Sequence, residues 1–296
     1  MEHKPLNFED DQIDFRELFK VLWEGKWLLI TITSLFALGS ITYSLYLPNI
    51  YQSSALLSPV VNENSMNQSM KNVGGLASLA GINIQSQSGS SNTIKAIQKL
   101  RTLSFFEKNI LPNIFLPNLL AVESWNSSTN NISYNNNLYN ETSKTWTREV
   151  QYPKTQTPSA QEAFAVFMNE HLSLSTDPET GFVTISIKHK SSFVAKAWAE
   201  LVVKEINSFF RIKDEAEARA ALNFLNAQIS QTTFTEIKQV IAQLLQQKTQ
   251  QLTLIEVSDF YVFEYIDPPA VMERKSEPKR SLICILGTFL GGIIAV

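Results

Sequence analysis

No charged residue occurs between Lys26 and Glu63, and that gap limits the possible folds more than any other feature of the chain. Within it, Trp27 to Leu47 (WLLITITSLFALGSITYSLYL) supplies 21 uninterrupted residues. A helix of that length crosses a hydrocarbon layer of about 30 Å at about 1.5 Å per residue. A second uncharged run follows Lys279 and Arg280, from Ser281 to Val296 (SLICILGTFLGGIIAV), and has 16 residues. It falls just short of the roughly 17 needed to span untilted, so the expectation is a second span that is clipped or lacks a short tail. Two anchors holding one large domain against a membrane is the layout this predicts.

The fold class that follows is an α+β membrane protein, with two transmembrane helices flanking an α/β base from which a long, coiled-coil-like helix extends. The expected divisions are residues 1–26 before the membrane, the first span at 27–47 and the base at 48–190. Long helices at 191–258, a return strand and proline-containing linker at 259–280 and the second span at 281–296 complete the chain. The 233 residues of 48–280 can hold a sizeable core. A net charge of −3 and a pI near 5.7 give no basic footprint for nucleic acid. The single cysteine, Cys284, lies inside the second run, so no intramolecular disulfide can form. Its plain reading is a small apolar residue facing lipid or helix. His3, His171 and His189 stand apart from any ligand partner at metal spacing, and no metal or other cofactor is expected.

A cleaved signal peptide does not fit the first run. The 26 residues before it carry seven acids and four bases, and Tyr46, Leu47 and Pro48 offer no small-x-small cleavage site. Arg16, Lys20 and Lys26 precede the span, whereas no Lys or Arg follows until Lys71. The positive-inside rule therefore puts the N-terminus in the cytoplasm. Two spans return the C-terminus to that side and leave 48–280 outside. Arg274, Lys275, Lys279 and Arg280 do not oppose this, because a long domain translocates largely regardless of charge. Ahead of the span, Asp14 and Glu17 read as a helix start, with Leu18, Phe19, Leu22 and Trp23 on one face. This is either an interfacial helix or ordinary flanking sequence with a Trp at the headgroups.

In the exterior part, residues 50–58 read as a strand. The run Gly74–Ile82 lacks the Gly-Lys-Ser/Thr ending of a phosphate loop and is better suited to packing on lipid or a neighbouring subunit. Ile94, Ile97, Leu100, Leu103 and Phe106 predict a helix over 93–109, ended by Pro112. Residues 118–157 look least structured: seven asparagines fall between 126 and 140, as in an exposed insertion or extended loop. A helix at 160–170 leads to strands at 172–176 and 182–187, joined by Asp177–Gly181 as turn chemistry. Val194, Trp198, Leu201, Val202, Ile206 and Phe209, continued by Leu222, Leu225 and Ile229, mark one face of a helix about 58 Å long. A weak break at 230–234 precedes a second helix, and the length of this stripe suggests a coiled coil or packing against sister copies. Residues 259–266 are a strand by composition, followed by Pro268 and Pro269 and, before the membrane, Pro278. Lys213–Glu217 is acid-rich but reads as a solvated face or inter-subunit charge strip, not a catalytic pair. Gly287 and Gly291 form a small-xxx-small pattern, joined by Gly292, which either packs against the first span at Ala37 and Gly39 or is the ordinary glycine content of a membrane helix.

Several of these pieces, in this order, resemble the polysaccharide co-polymerase family, the bacterial chain-length determinants of the Wzz type. They are Ile13–Phe19 (IDFRELF), Tyr51–Leu57 (YQSSALL), Gly75–Ile82 (GLASLAGI) and Leu100–Phe105 (LRTLSF). Ala220–Gln228 (AALNFLNAQ), Asp267–Pro269, Pro278–Arg280 and Gly287, Gly291 and Gly292 follow. The segment 118–157 departs from the pattern, and Pro278 stands alone between Pro269 and the membrane. The resemblance implies a ring-like homo-oligomer in the inner membrane of a Gram-negative bacterium, with a periplasmic base and a long helix. Such proteins set the length of O-antigen or related glycans beside an integral-membrane polymerase and its lipid-linked glycan, with no catalytic residues of their own. An alternative is the membrane-anchor part of a tyrosine autokinase system for capsule or exopolysaccharide export; no Gly-x-x-x-x-Gly-Lys-Ser/Thr motif occurs in the chain.

Overall fold

The computed structural model describes residues 23, 25–60, 88–258 and 260–295. The expected helix starting at Asp14, apart from Trp23, and the glycine run Gly74–Ile82 lie outside the described residues. The chain divides into two compact units, one from residues 1–49 and 276–296, the other from 50–275.

In the first unit, helix α1 (Lys26–Tyr46) packs against the last helix, Arg280–Ala295. Both are apolar on nearly every side, as a helix bathed in hydrocarbon is. α1 ends as Leu47 turns extended ahead of Pro48, whose ring disfavours a helical predecessor.

The second unit opens with strand β1 (Tyr51–Pro59). Helix α2 (Ser88–Leu100) follows, then α3 (Leu103–Phe105) running on through a π turn at Phe106–Ile110 and a 3-10 turn at Leu111–Asn113. The single helix expected over 93–109 is therefore broken. Thr102 is extended (φ −100°, ψ 138°), and its hydroxyl accepts the Phe105 N–H as a cap. The break resets the helical phase, so that Leu100, Phe105, Phe106 and Ile110 all reach the core.

Short helix α4 (Leu116–Leu120) leads into β2 (Val122–Asn126), β3 (Asn131–Tyr134), β4 (Tyr139–Asn140) and β5 (Thr145–Trp146), which form two separate two-stranded ribbons. The segment 118–157 is thus not the extended loop that its asparagines suggest. Asn130 (φ 51°) and Lys144 (φ 54°) supply left-handed turn positions. Edge-to-face rings hold the second ribbon, with Tyr139 at 5.3 Å from Trp146 and 5.6 Å from Tyr134.

Helix α5 (Ala160–Val166), with a Ser159–Glu162 capping box, ends in a π turn at Phe167–His171. Strands β6 (Leu172–Thr176) and β7 (Val183–His189) form the expected hairpin, with Gly181 at φ +72° in its turn. Helix α6 (Ser192–Gln231) has 40 residues, about 60 Å at the usual rise. After three non-helical residues, α7 (Thr235–Val257) doubles back along its outer part. Strand β8 (Phe263–Asp267) closes a four-stranded antiparallel sheet of order β6-β7-β1-β8, and α8 (Arg280–Ala295) ends the described chain.

β1 alternates as a one-sided strand must, burying Ser53, Ala55 and Leu57. The first half of α6 covers that sheet with Ala195, Trp198, Ala199, Val202, Val203, Ile206 and Phe210. Its second half leaves the core. There the buried residues are Ala218 on α6 and Ile241 and Ile255 on α7, and Arg219 joins the two helices through Glu256 (2.5 Å). α7 thus packs antiparallel against the outer half of α6 within the same chain.

Candidate functional site

Three pieces of the chain can carry function, and each is built from identifiable contacts. The first is the helix pair of the first unit. A Cβ on Gly287 would collide with Ser40 Cβ, and one on Gly291 would lie 2.6 Å from Phe36 Cβ and 3.3 Å from Thr33 Cα. Only hydrogen at these two positions lets the backbones approach this closely. Gly292 and Gly39 face open space, with nothing within 4 Å of an added Cβ. Ala37 is half-buried and its carbonyl accepts the Ser40 hydroxyl at 2.9 Å. The expected partners Ala37 and Gly39 are thus replaced across from the glycines by Thr33, Phe36 and Ser40. Residues of α1 spaced three and four apart share that face, whereas Gly39 points elsewhere. The hydroxyls of Thr33 and Ser44 are buried with no hydrogen-bond partner among the described residues.

The second piece is the helical hairpin. Leu222, Leu225 and Ile229 are half-buried on the part of α6 that α7 runs beside, while Phe224, Phe234, Ile237 and Val240 remain exposed. The acids of 213–217 are each engaged. Asp214 accepts the Tyr261 hydroxyl at 2.6 Å, Glu215 pairs with Arg219 at 2.8 Å, and Glu217 pairs with Lys213 at 3.3 Å. Burial, and then this bond to Asp214, pushes the Tyr261 phenol well above its ordinary range.

The third piece is where the chain returns from the hairpin. Asn207 sits in the apolar stripe of α6, buried, four residues after Val203 and three before Phe210. Its Oδ1 accepts the N–H groups of Val262 (2.8 Å) and Phe263 (2.9 Å), and its Nδ2 donates to the Phe263 carbonyl (3.0 Å). One side chain thus fixes β8 against α6. Beyond β8, Pro269 is buried and Pro268 exposed. The Ala270 carbonyl accepts the Ser53 hydroxyl at 2.8 Å, tying the proline linker to β1. Pro278 follows a cis peptide from Glu277 in the other unit, where Arg280 donates to Asn49 Oδ1 at 3.2 Å.

Two histidines set apart by sequence spacing meet in the base. The β6–β7 register pairs Leu172 with Ile187 and so brings His171, at the end of the π turn, alongside Lys188; His171 and His189 stack at 5.6 Å, both against Trp198. His189 Nδ1 accepts the Ser191 N–H, which fixes the proton on Nε2, and that nitrogen donates to the Asn118 carbonyl at 2.9 Å. His171 lies between the Lys188 carbonyl (2.6 Å, Nδ1) and the Leu119 carbonyl (3.3 Å, Nε2). Lys190 Nζ donates to the Val122 carbonyl at 2.6 Å. Three side chains thus cap carbonyls at and just after the C-terminal end of α4, a position that favours cationic or N–H donors. Burial pushes His171 and Lys190 down from their ordinary values and takes His189 to about 4. Among the described residues, no three His, Cys, Asp or Glu side chains come together.

Asn207 was legible as a polar residue inside an apolar helical stripe; the histidine pair was not, since it exists only through strand register. Against this architecture, the N-terminal part of the chain has a counterpart: residues 11–103 match the Wzz family model, described as chain length determinant protein. The matched segment takes in α1, β1, α2 and the break before α3. Among solved structures, the chain is similar to a full-length bacterial polysaccharide co-polymerase at 14% identity, with 95% of each chain covered and a TM-score of 0.38. It is also similar to a fragment of WzzB, a polysaccharide co-polymerase from Salmonella Typhimurium, at 14% identity, with 77% of this chain and 100% of the fragment covered and a TM-score of 0.32. No curated protein sequence matches significantly.

Proposed function

We propose that the chain is a non-enzymatic regulator of surface polysaccharide length, with O-antigen as its glycan, acting as a homo-oligomer in the bacterial inner membrane. The observation that carries this reading is the Wzz match over 11–103, because that segment contains both the first anchor and the strand on which the base sheet is built. In this reading α1 and α8 are both spans, the termini are cytoplasmic, and 48–280 is periplasmic. Among the described residues, one helix, Lys26–Tyr46, has the length and apolar character to cross a membrane, and α8 is an apolar helix of 16 residues beside it. Gly287 and Gly291 support the pairing of the two. Pro268, Pro269 and Pro278 guide the chain back to the membrane, and the face bearing Leu222, Leu225 and Ile229 contributes to contacts between copies. The partners are an integral-membrane polymerase and the lipid-linked glycan it extends.

The test is the lipopolysaccharide ladder of a strain lacking this gene, with and without the gene restored. The expected result is a random ladder that sharpens into a modal cluster on restoration. An unchanged ladder would refute the proposal.

A further inference from the structure

A groove of about 220 Å³ lies beside the Asn207 clamp, lined by Lys204, Ser208 and Arg211 of α6 and by Phe260, Tyr261 and Tyr265 from the returning chain. The helical residues stand at i, i+4 and i+7, so they form one face about two turns long. Asn207, between them in sequence, fixes the aromatic wall by its three bonds to Val262 and Phe263.

Four polar groups on this groove, on Lys204, Ser208, Arg211 and Tyr265, have no hydrogen-bond or ion-pair partner among the described residues. Among the described residues, no carboxylate lies within ion-pair distance of Lys204 or Arg211; Glu200 pairs with Lys196, and Asp214 accepts the Tyr261 hydroxyl. The hydroxyls of Ser208 and Tyr265 likewise have no hydrogen-bond partner among the described residues. Burial, with Glu200 nearby, pushes the Tyr265 phenol up to about 12, so it stays a neutral donor. Phe260 meets Tyr265 edge-to-face at 5.8 Å and is 38% exposed, leaving apolar ring surface at the groove.

We propose that this groove binds one acidic saccharide unit, its carboxylate or phosphate held by Lys204 and Arg211, its hydroxyls by Ser208 and Tyr265, and its apolar ring face on Phe260. The charge follows from two cations without a counterion among the described residues, since each charge-assisted bond is roughly twice as strong as a neutral one. The size follows from the volume, which is below the roughly 300–1,000 Å³ of sites for drug-sized ligands and so admits a single ring. The inference rests on the glycan reading above and adds a place and a chemical class to it.

The experiment is ligand-observed saturation-transfer NMR on the full chain in phosphatidylcholine nanodiscs, with glucuronate, glucose 1-phosphate, glucose and inorganic phosphate as probes. The expected result is a response from both acidic sugars, weakened at least about tenfold in the Lys204→Gln/Arg211→Gln double variant. The milder Ser208→Ala and Tyr265→Phe variants, which leave the helix and the clamp untouched, should each weaken the response about fivefold. An equal response from glucose, or an undiminished one in the double variant, would overturn the proposal. Inorganic phosphate competing as well as the acidic sugars would reduce the groove to an anion site and overturn the saccharide assignment. If restoring the parent gene sharpens the ladder but no acidic sugar binds, this inference fails and the chain-length reading stands. If the acidic sugars bind but the ladder does not change, the groove stands and the chain-length reading fails.

Discussion

Replacing Asn207 with alanine should loosen the return strand more than any other single polar change in the base. The side chain is buried and makes three bonds to the backbone of Val262 and Phe263, at 2.8, 2.9 and 3.0 Å. Truncation removes all three and leaves two N–H groups and a carbonyl without that partner. At about 1 kcal/mol net for each bond, the loss is about 3 kcal/mol, and more if the cavity stays dry. For a domain of roughly 150–250 residues, about 1 kcal/mol moves the melting point by about 2–4 °C, so the expected fall is about 6–12 °C. Asn207→Asp separates geometry from chemistry: a carboxylate accepts both N–H groups but cannot donate to the Phe263 carbonyl. The assay is hydrogen exchange of the full chain in detergent, read on peptides covering 260–267, alongside thermal unfolding. Exchange in that segment should speed up in both variants while β6 and β7 stay protected. A melting point within about 2 °C of the parent, with unchanged exchange at Val262 and Phe263, would refute the idea that one asparagine fixes the strand.

Three further outcomes follow from the same contacts. His189 has a folded-state pKa of about 4 against an ordinary 6.5. Below pH 6.5 the unfolded chain therefore takes up a proton that the folded chain refuses. Stability should fall between pH 6.5 and 4 by about 3 kcal/mol and level off below, and His189→Gln should flatten that slope in denaturant titrations at pH 7.5, 5.5 and 4.5. Gly287→Leu and Gly291→Leu should lower the thermal midpoint of the detergent-solubilised chain and disturb its oligomer or its glycan profile, whereas Gly39→Leu and Gly292→Leu, with open space around them, should not. An identical response from all four would remove close approach as the cause. Ser44→Ala should leave stability equal or slightly higher, by up to about 1 kcal/mol, because the buried hydroxyl it deletes has no partner among the described residues; a clear loss would point to a hydrogen bond that the helix pair alone does not provide.

The sequence determined what depends on local pattern. An uncharged apolar run of helical length closes its own backbone hydrogen bonds, so α1 needs no tertiary information, and the uncharged run after Arg280 becomes α8 for the same reason. Alternation alone marks β1 and β7, and the apolar stripe at 3.6-residue spacing marks α6, because burying one face requires that period in any fold. Tertiary structure decided everything that depends on which distant residues meet. The helix over 93–109 breaks at Thr102 because the core needs Phe105 and Phe106 together, a demand invisible to periodicity. Residues 118–157 fold into ribbons because Phe115, Tyr134, Tyr139 and Trp146 find one another, although their asparagines read as loop. His171 and His189 share a site only through the β6–β7 register. The groove at Lys204 and Arg211 exists only because Asn207 brings the aromatic residues of 260–265 across from a helix more than 50 positions earlier. Local propensity is fixed by a few neighbours in the chain, whereas the chemistry of a site is fixed by the pairing of surfaces far apart in it, and one sequence read alone does not state that pairing.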